Sequence, residues 1–218
     1  MSANAFSVSR EVGKLLHLLK HLAIMETKSK FWLFGLLTPY LLLSGGCISV
    51  PEGVTVISGF DLERYLGTWY EIARLDHRFE RGLSNVTATY SLRDDGGVHV
   101  VNRGYNEEAG KWNEAVGKAY FVESPDKGRL KVSFFGPFWG GYNIIELDQD
   151  GYQYSMVAGP NRSYLWILGR TPALQPRLVD KLVGKARELG FSTDDLIFVE
   201  HTRKFPQRKA RAETRRPD

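Results

Sequence analysis

One cysteine, five histidines and a scatter of carboxylates bound the chemistry open to this 218-residue chain. Cys47 is alone, so no intramolecular disulfide can close, and no thiol pair or Cys/His cluster can build a zinc site. It sits instead at the end of an ordered run. Lys28 and Lys30 come first, then a thirteen-residue apolar run from Phe31 to Leu43, then Ser44-Gly45-Gly46. Charge, apolar stretch and small residues in that order make a secretory signal. The run is too short to span a bilayer comfortably, and Pro39 interrupts it. His77 falls in a polar loop and His99 on the outer side of an alternating strand, so neither is placed to ligate a haem iron. Glu71 shares the parity of Trp69 and reads as a buried structural carboxylate hydrogen-bonded near the closed end of the fold. No catalytic residue, metal ligand or cofactor is assigned.

The basic excess is confined to the ends. Residues 203–218 hold seven basic and two acidic groups, residues 1–46 five and two, and the body from 47 to 202 carries a net −4. The sequence pI near 9.1 therefore gives no reason to expect a nucleic-acid partner. Residues 1–46 divide into an N-terminal extension and a signal peptide whose ordinary start is Met25. Residues 47–59 read as a linker, 60–200 as one domain, and 201–218 as a basic, disordered tail.

Between 60 and 200 the pattern is β. Asp61 can cap a short helix from Leu62, Gly67 frees a bend, and Thr68–Arg74 is a first strand. Asn85–Arg93 alternates, with Val86, Ala88 and Tyr90 on one side, and Asp94-Asp95-Gly96-Gly97 turns the chain back. Val98, Val100, Asn102 and Gly104 share the next inner face, then Ala115, Gly117, Ala119 and Phe121. Leu130, Val132 and Phe134 follow, and Tyr142–Leu147, Tyr152–Ala158 and Tyr164–Leu168 complete eight strands. Short hairpins and the lack of crossover helices give an all-β, eight-stranded, antiparallel up-and-down barrel. The small residues on its inner faces leave room for a ligand. A helix from Pro176, with Leu178, Val179, Leu182, Val183, Ala186 and Leu189 on one face and Gly190 after it, must pack on the barrel's outside. Leu196–Val199 adds a last strand.

Gly67-Thr68-Trp69-Tyr70-Glu71 resembles the Gly-x-Trp signature of the lipocalin family. Leu168-Gly169-Arg170-Thr171-Pro172 resembles the family's third motif, and of its second motif only Tyr164 survives in Arg162-Ser163-Tyr164. The resemblance implies that Gly67, Trp69 and Arg170 form the structural signature, with Arg170 over Trp69 at a closed end. Longer runs, Tyr65 to Arg74, Asn85 to Arg93, Lys131 to Phe138 and Tyr164 to Leu168, resemble the bacterial outer-membrane lipocalins, kin of apolipoprotein D. Ser44-Gly45-Gly46-Cys47 resembles a lipobox, which implies a lipid attached to Cys47. Ile48, rather than Asp, implies sorting to the outer membrane. The same resemblance implies a carrier of fatty acids or lysophospholipids. Parity then assigns Tyr90, Asn102, Phe134, Tyr142, Trp166, Ala88 and Val132 to the ligand, and Phe138 and Trp139 to the cavity mouth. A second copy of the chain is a candidate partner. Rival readings are a structural lipoprotein of the envelope and an enzyme on the same fold.

Overall fold

Gly67 bends the chain out of a short capped helix and into a closed sheet. The computed structural model describes residues 48–206; the signal region, Cys47 and residues 207–218 lie outside them. In helix α1 (Leu62–Tyr65), the Asp61 carboxylate accepts from the amides of Glu63 and Arg64 at 2.9 and 3.3 Å. These are donors that a helix start otherwise leaves unpaired.

Strands β1 (Gly67–Arg74), β2 (Leu83–Leu92), β3 (Val98–Asn106), β4 (Lys111–Phe121), β5 (Arg129–Ser133), β6 (Gly140–Leu147), β7 (Tyr154–Ala158) and β8 (Leu165–Gly169) follow in order. Each pairs antiparallel with its chain neighbour. β8 then pairs with β1, and β1 with β2, so the barrel closes. Closure leaves the eight strands no exposed hydrogen-bonding edges among themselves. The ninth strand, β9 (Ile197–Phe198), adds onto β1. α1 and the β2–β3, β4–β5 and β6–β7 turns gather at one end, the closed end. The β1–β2, β3–β4, β5–β6 and β7–β8 loops surround the other.

Three register shifts break the strict alternation: in β1 between Glu71 and Ala73, in β2 between Ser84 and Thr87, and in β6 between Ile144 and Glu146. A bulge moves every later residue of its strand to the other face. Trp69 belongs to the core inside the barrel, yet Ala73 belongs to a second core outside it. Arg74 consequently turns to the same side as Glu71.

The outer core lies under helix α2 (Pro176–Glu188), whose Leu182 and Ala186 are fully buried against Met156, Ile167 and Leu165. Gly190 follows at φ +82°, a conformation open to glycine without a Cβ penalty. Lys185 on this helix pairs with Glu146, which the bulge in β6 has turned outward.

Two segments are more firmly held than the sequence suggests. Residues 48–59 do not hang free as a linker: Val54 is buried and joins the outer core, and the Ile57 amide donates to Ile144 O at 3.0 Å. Residues 201–206 of the expected disordered tail are strapped to the barrel. His201 Nε2 lies 2.8 Å from Glu71 O, the Arg203 amide donates to Asn85 Oδ1 at 2.6 Å, and Phe205 packs edge-on against Trp112. The side chains at Asn85, Tyr105 and Trp112 receive the strap, so an outer face with the right partners overrides its polar composition.

Candidate functional site

The closed end is sealed by one aromatic ring and one guanidinium. Trp69 is fully buried, and its Nε1 donates to Tyr65 O at 2.8 Å. The Arg170 guanidinium lies 3.9 Å from the Trp69 ring centre, within cation–π range. Its remaining N–H groups donate to Arg64 O at 2.6 Å, Leu66 O at 2.9 Å, and Thr68 O and Tyr152 O at 3.2 Å. Gly67, at φ +93°, lets the backbone pass close beneath that fork.

Above this plug the barrel encloses a cavity of about 910 Å³ that opens at the far end. Its floor is polar. Tyr142 Oη lies 2.8 Å from Tyr65 Oη and 2.9 Å from Tyr90 Oη, and Tyr65 donates to Ser155 Oγ at 3.2 Å. Burial pushes the Tyr65 phenol up to about 12 and raises Tyr90 and Tyr142 as well, so the three stay protonated as a hydrogen-bonded set.

The walls carry the residues that parity selected. Ala88, Asn102, Phe134 and Val132 line the cavity together with Tyr90, Tyr142 and Trp166. Asn102 is half-buried, and its side-chain carbonyl oxygen has no hydrogen-bond partner among the described residues. Two glycines expected to leave room do not. A Cβ on Gly117 would meet Phe134 at 2.8 Å, and one on Gly104 would meet Leu83 at 3.0 Å and Val86 at 3.3 Å. Ala88, Ala115 and Ala119 line the cavity, as does Gly104, while the Cβ positions of both glycines are taken up by neighbouring side chains.

The cavity is also more charged than the sequence suggests. Glu71 and Glu80 both line it, at 3% and 6% exposure. Arg74 Nη1 donates to Glu71 Oε1 at 2.6 Å, and Nη2 donates to Glu80 O at 2.8 Å and Leu83 O at 3.2 Å. Trp166 Nε1 donates to Glu80 Oε2 at 3.0 Å. Burial, reinforced by the facing Glu80 and opposed by Arg74, pushes the Glu71 carboxyl up to about 8. Burial raises Glu80 too. Two buried carboxyls against one guanidinium favour keeping one proton. Glu71 is therefore a buried carboxyl held in the upper wall of the cavity, not at the closed end.

His77, expected on a polar loop, is 3% exposed beneath the mouth, stacked on Phe79 and Tyr164 and touching Trp166. Desolvation and the nearby Arg74 charge push it down to about 4, so it is neutral. Strict alternation hid Arg74, and Glu80 and Phe79 lie in a loop that parity does not reach. The signal that could have found them was Arg74 itself, a charge at the end of an apolar strand.

At the mouth, Phe138 is 77% exposed on the β5–β6 loop, as are Phe135 beside it and, at 63%, Phe79 opposite. Trp139 borders the mouth, but its ring turns outward onto Tyr120, Lys118 and Lys131 of β4 and β5. Those cations attract the ring face and draw it off the opening. Among the described residues, no group of three His, Cys, Asp or Glu side chains is placed to hold a metal ion. Cys47 lies outside them.

Residues 60–201 match the family model for a lipocalin-like domain. The chain is 56% identical to the outer membrane lipoprotein Blc of Vibrio cholerae, over 72% of this chain and 92% of that protein. It is 53% identical to the outer membrane lipoprotein Blc of Escherichia coli K12, over 74% and 90%. It is 33% identical to rat apolipoprotein D, over 63% and 73%. Among solved structures, insecticyanin from the tobacco hornworm aligns with a TM-score of 0.55 at 19% identity, over 70% of this chain and 87% of that one, a likeness of fold. Barrel closure, the Trp69–Arg170 plug and the family match over 60–201 agree: the chain belongs to the lipocalin family.

Proposed function

We propose that this lipocalin carries single-chain lipids, fatty acids or lysophospholipids, in its cavity, for upkeep of the membrane to which it is anchored. The chain is an outer-membrane lipoprotein, as its bacterial relatives are named. Its anchor, in this reading, is acyl groups on Cys47, and it faces the periplasm. One observation carries the ligand reading: a cavity of about 910 Å³, sealed at one end and open at the other. Small-molecule pockets run from roughly 300 to 1,000 Å³ and pair apolar walls with a few placed polar groups. Here the polar groups are the tyrosine floor, the unpartnered Asn102 carbonyl and the Glu71–Glu80 wall.

Those groups favour a ligand that brings donors. A carbonyl oxygen and two carboxyls can accept from a hydroxyl or an ammonium, whereas a bare carboxylate meets like charge. A lysophosphatidylethanolamine supplies both donors; a fatty acid fits better once protonated. The acyl chain takes the path along Ala88, Val132, Phe134 and Trp166. Carriage rather than turnover is the role that the family membership supports.

Mass spectrometry of lipids extracted from the protein purified in gentle detergent tests this reading. Single-chain lipids should co-purify with the wild-type chain. They should be absent from Trp166→Glu, which adds a third carboxyl beside Glu80, while the β-sheet circular-dichroism signal is kept. Single-chain lipid retained at wild-type level by that variant would show that the cavity is not the site.

A further inference from the structure

We infer that the barrel stands with its open end against the bilayer, so that Phe79, Phe135 and Phe138 enter the lipid interface and ligand passes directly between membrane and cavity. The inference rests on the lipid anchor at Cys47 and goes beyond it, because an anchor alone leaves the barrel free to face any way.

The place where the anchored segment joins the fold supplies the orientation. Ser49 Oγ donates to Pro160 O at 2.8 Å, and Asn143 Nδ2 donates to Ser49 O at 2.9 Å. Pro160 belongs to the β7–β8 loop, and a Cβ on Gly141, at the start of β6, would lie 3.0 Å from Ser49 O. Both are at the open end. From there residues 50–59 run down the outside of the barrel, and Phe60 joins Asp126 O at the closed end by a 2.9 Å hydrogen bond. Cys47 is two residues before Ser49, and two residues of chain span at most about 8 Å. An acyl chain there is tied beside the mouth, not to the far end and not through a long tether.

The same end carries the apolar surface that a lipid interface would cover. Phe79, Phe135 and Phe138 are 63%, 77% and 77% exposed and come from two loops across the opening. Aromatic side chains on one polar-rimmed face are the composition of an interfacial contact, inserting roughly 5–10 Å. Exposed Arg78, Lys111 and Lys204 lie at this end, with Asp76, Glu107 and Glu108 among them. The strap that ends with Phe205 on Trp112 brings the chain to the same opening. It continues with Arg208, Lys209, Arg211, Arg215 and Arg216 against Glu213 and Asp218, a sequence suited to anionic headgroups.

The test uses the full acylated protein in vesicles of phosphatidylethanolamine and phosphatidylglycerol. Cys47 is the only cysteine and is consumed by acylation, so a cysteine introduced elsewhere is the one free thiol. Phe135→Cys and Phe138→Cys report from the mouth, and Asp94→Cys from the β2–β3 hairpin at the closed end. Each carries a polarity-sensitive fluorophore, and acyl-chain-brominated lipids serve as quenchers. The labels at 135 and 138 should shift to the blue and lose emission, and the label at 94 should do neither. Rim labels left unquenched in vesicle-bound protein would overturn the orientation while leaving the anchor standing. In the same variants left unlabelled, rim thiols that cross-link to one another would overturn it in favour of a second copy over the mouth. Protein that is not acylated and does not stay with the vesicles would overturn the Cys47 reading and the orientation with it.

Discussion

Arg170 does two things at once, and separating them is informative. It covers the Trp69 ring at 3.9 Å and also donates to four backbone carbonyls that end α1, begin β1 and close the β6–β7 turn. Truncating Trp69 to Ala should cost about 3–5 kcal/mol, the range for a large buried aromatic. A double-mutant cycle with Arg170→Ala, read by urea unfolding, should show the two losses to be non-additive; additive losses would mean that the ring contact contributes nothing. The Glu71–Glu80 wall gives a second handle. With Glu71 raised from 4.5 to about 8, the native state holds a proton that the unfolded chain has released, so stability falls as pH rises across that interval. His77, lowered from 6.5 to about 4, acts oppositely: the unfolded chain takes its proton first, and stability falls as pH drops below 6.5. Above 6.5 only the carboxyl effect remains. The urea midpoint should therefore decline between pH 6.5 and 8, and Glu71→Gln should flatten that decline. A wild-type midpoint constant over the interval would show that the wall holds no such proton.

Helix α2 and the bulged strands show where alternation serves as a guide and where it stops. The helix was legible because Leu178, Val179, Leu182, Val183 and Ala186 recur at helical spacing between Pro176 and Gly190, and the outer core lies where that stripe required. Leu182→Ala should cost about 2–5 kcal/mol in urea unfolding, yet leave ligand affinity unchanged, since the helix packs outside the cavity wall. A loss of affinity without loss of stability would contradict that separation. The inner faces of β3 and β4 were legible for the same reason: Val98, Val100, Asn102, Ala115 and Ala119 do line the cavity. Arg74 was not, because a bulge leaves no mark in residue type and period two simply continues through it. Glu80, Phe79 and His77 were not, because a loop's path is set by what it packs on. The strap 201–206 was missed because its composition is polar while its anchors, Asn85, Tyr105 and Trp112, are distant in sequence.

Taken together, the fold sets a sealed, hydrogen-bonded floor at one end and an apolar rim at the other, with a cavity of about 910 Å³ between them. In the proposed carriage, such a cavity selects an acyl chain by its length and by the donors on its head. Affinity for a graded series of saturated lysophospholipids, measured by calorimetry with the wild-type chain and with Ala88→Trp, therefore bears most directly on the carrier reading. Burial contributes about 0.8 kcal/mol per methylene. Wild-type affinity should strengthen at close to that increment and then level off when the cavity is full, and in Ala88→Trp it should be weaker and level off at a shorter chain. Affinity that ignores chain length, or a series identical in the two proteins, would contradict a ligand held inside the barrel.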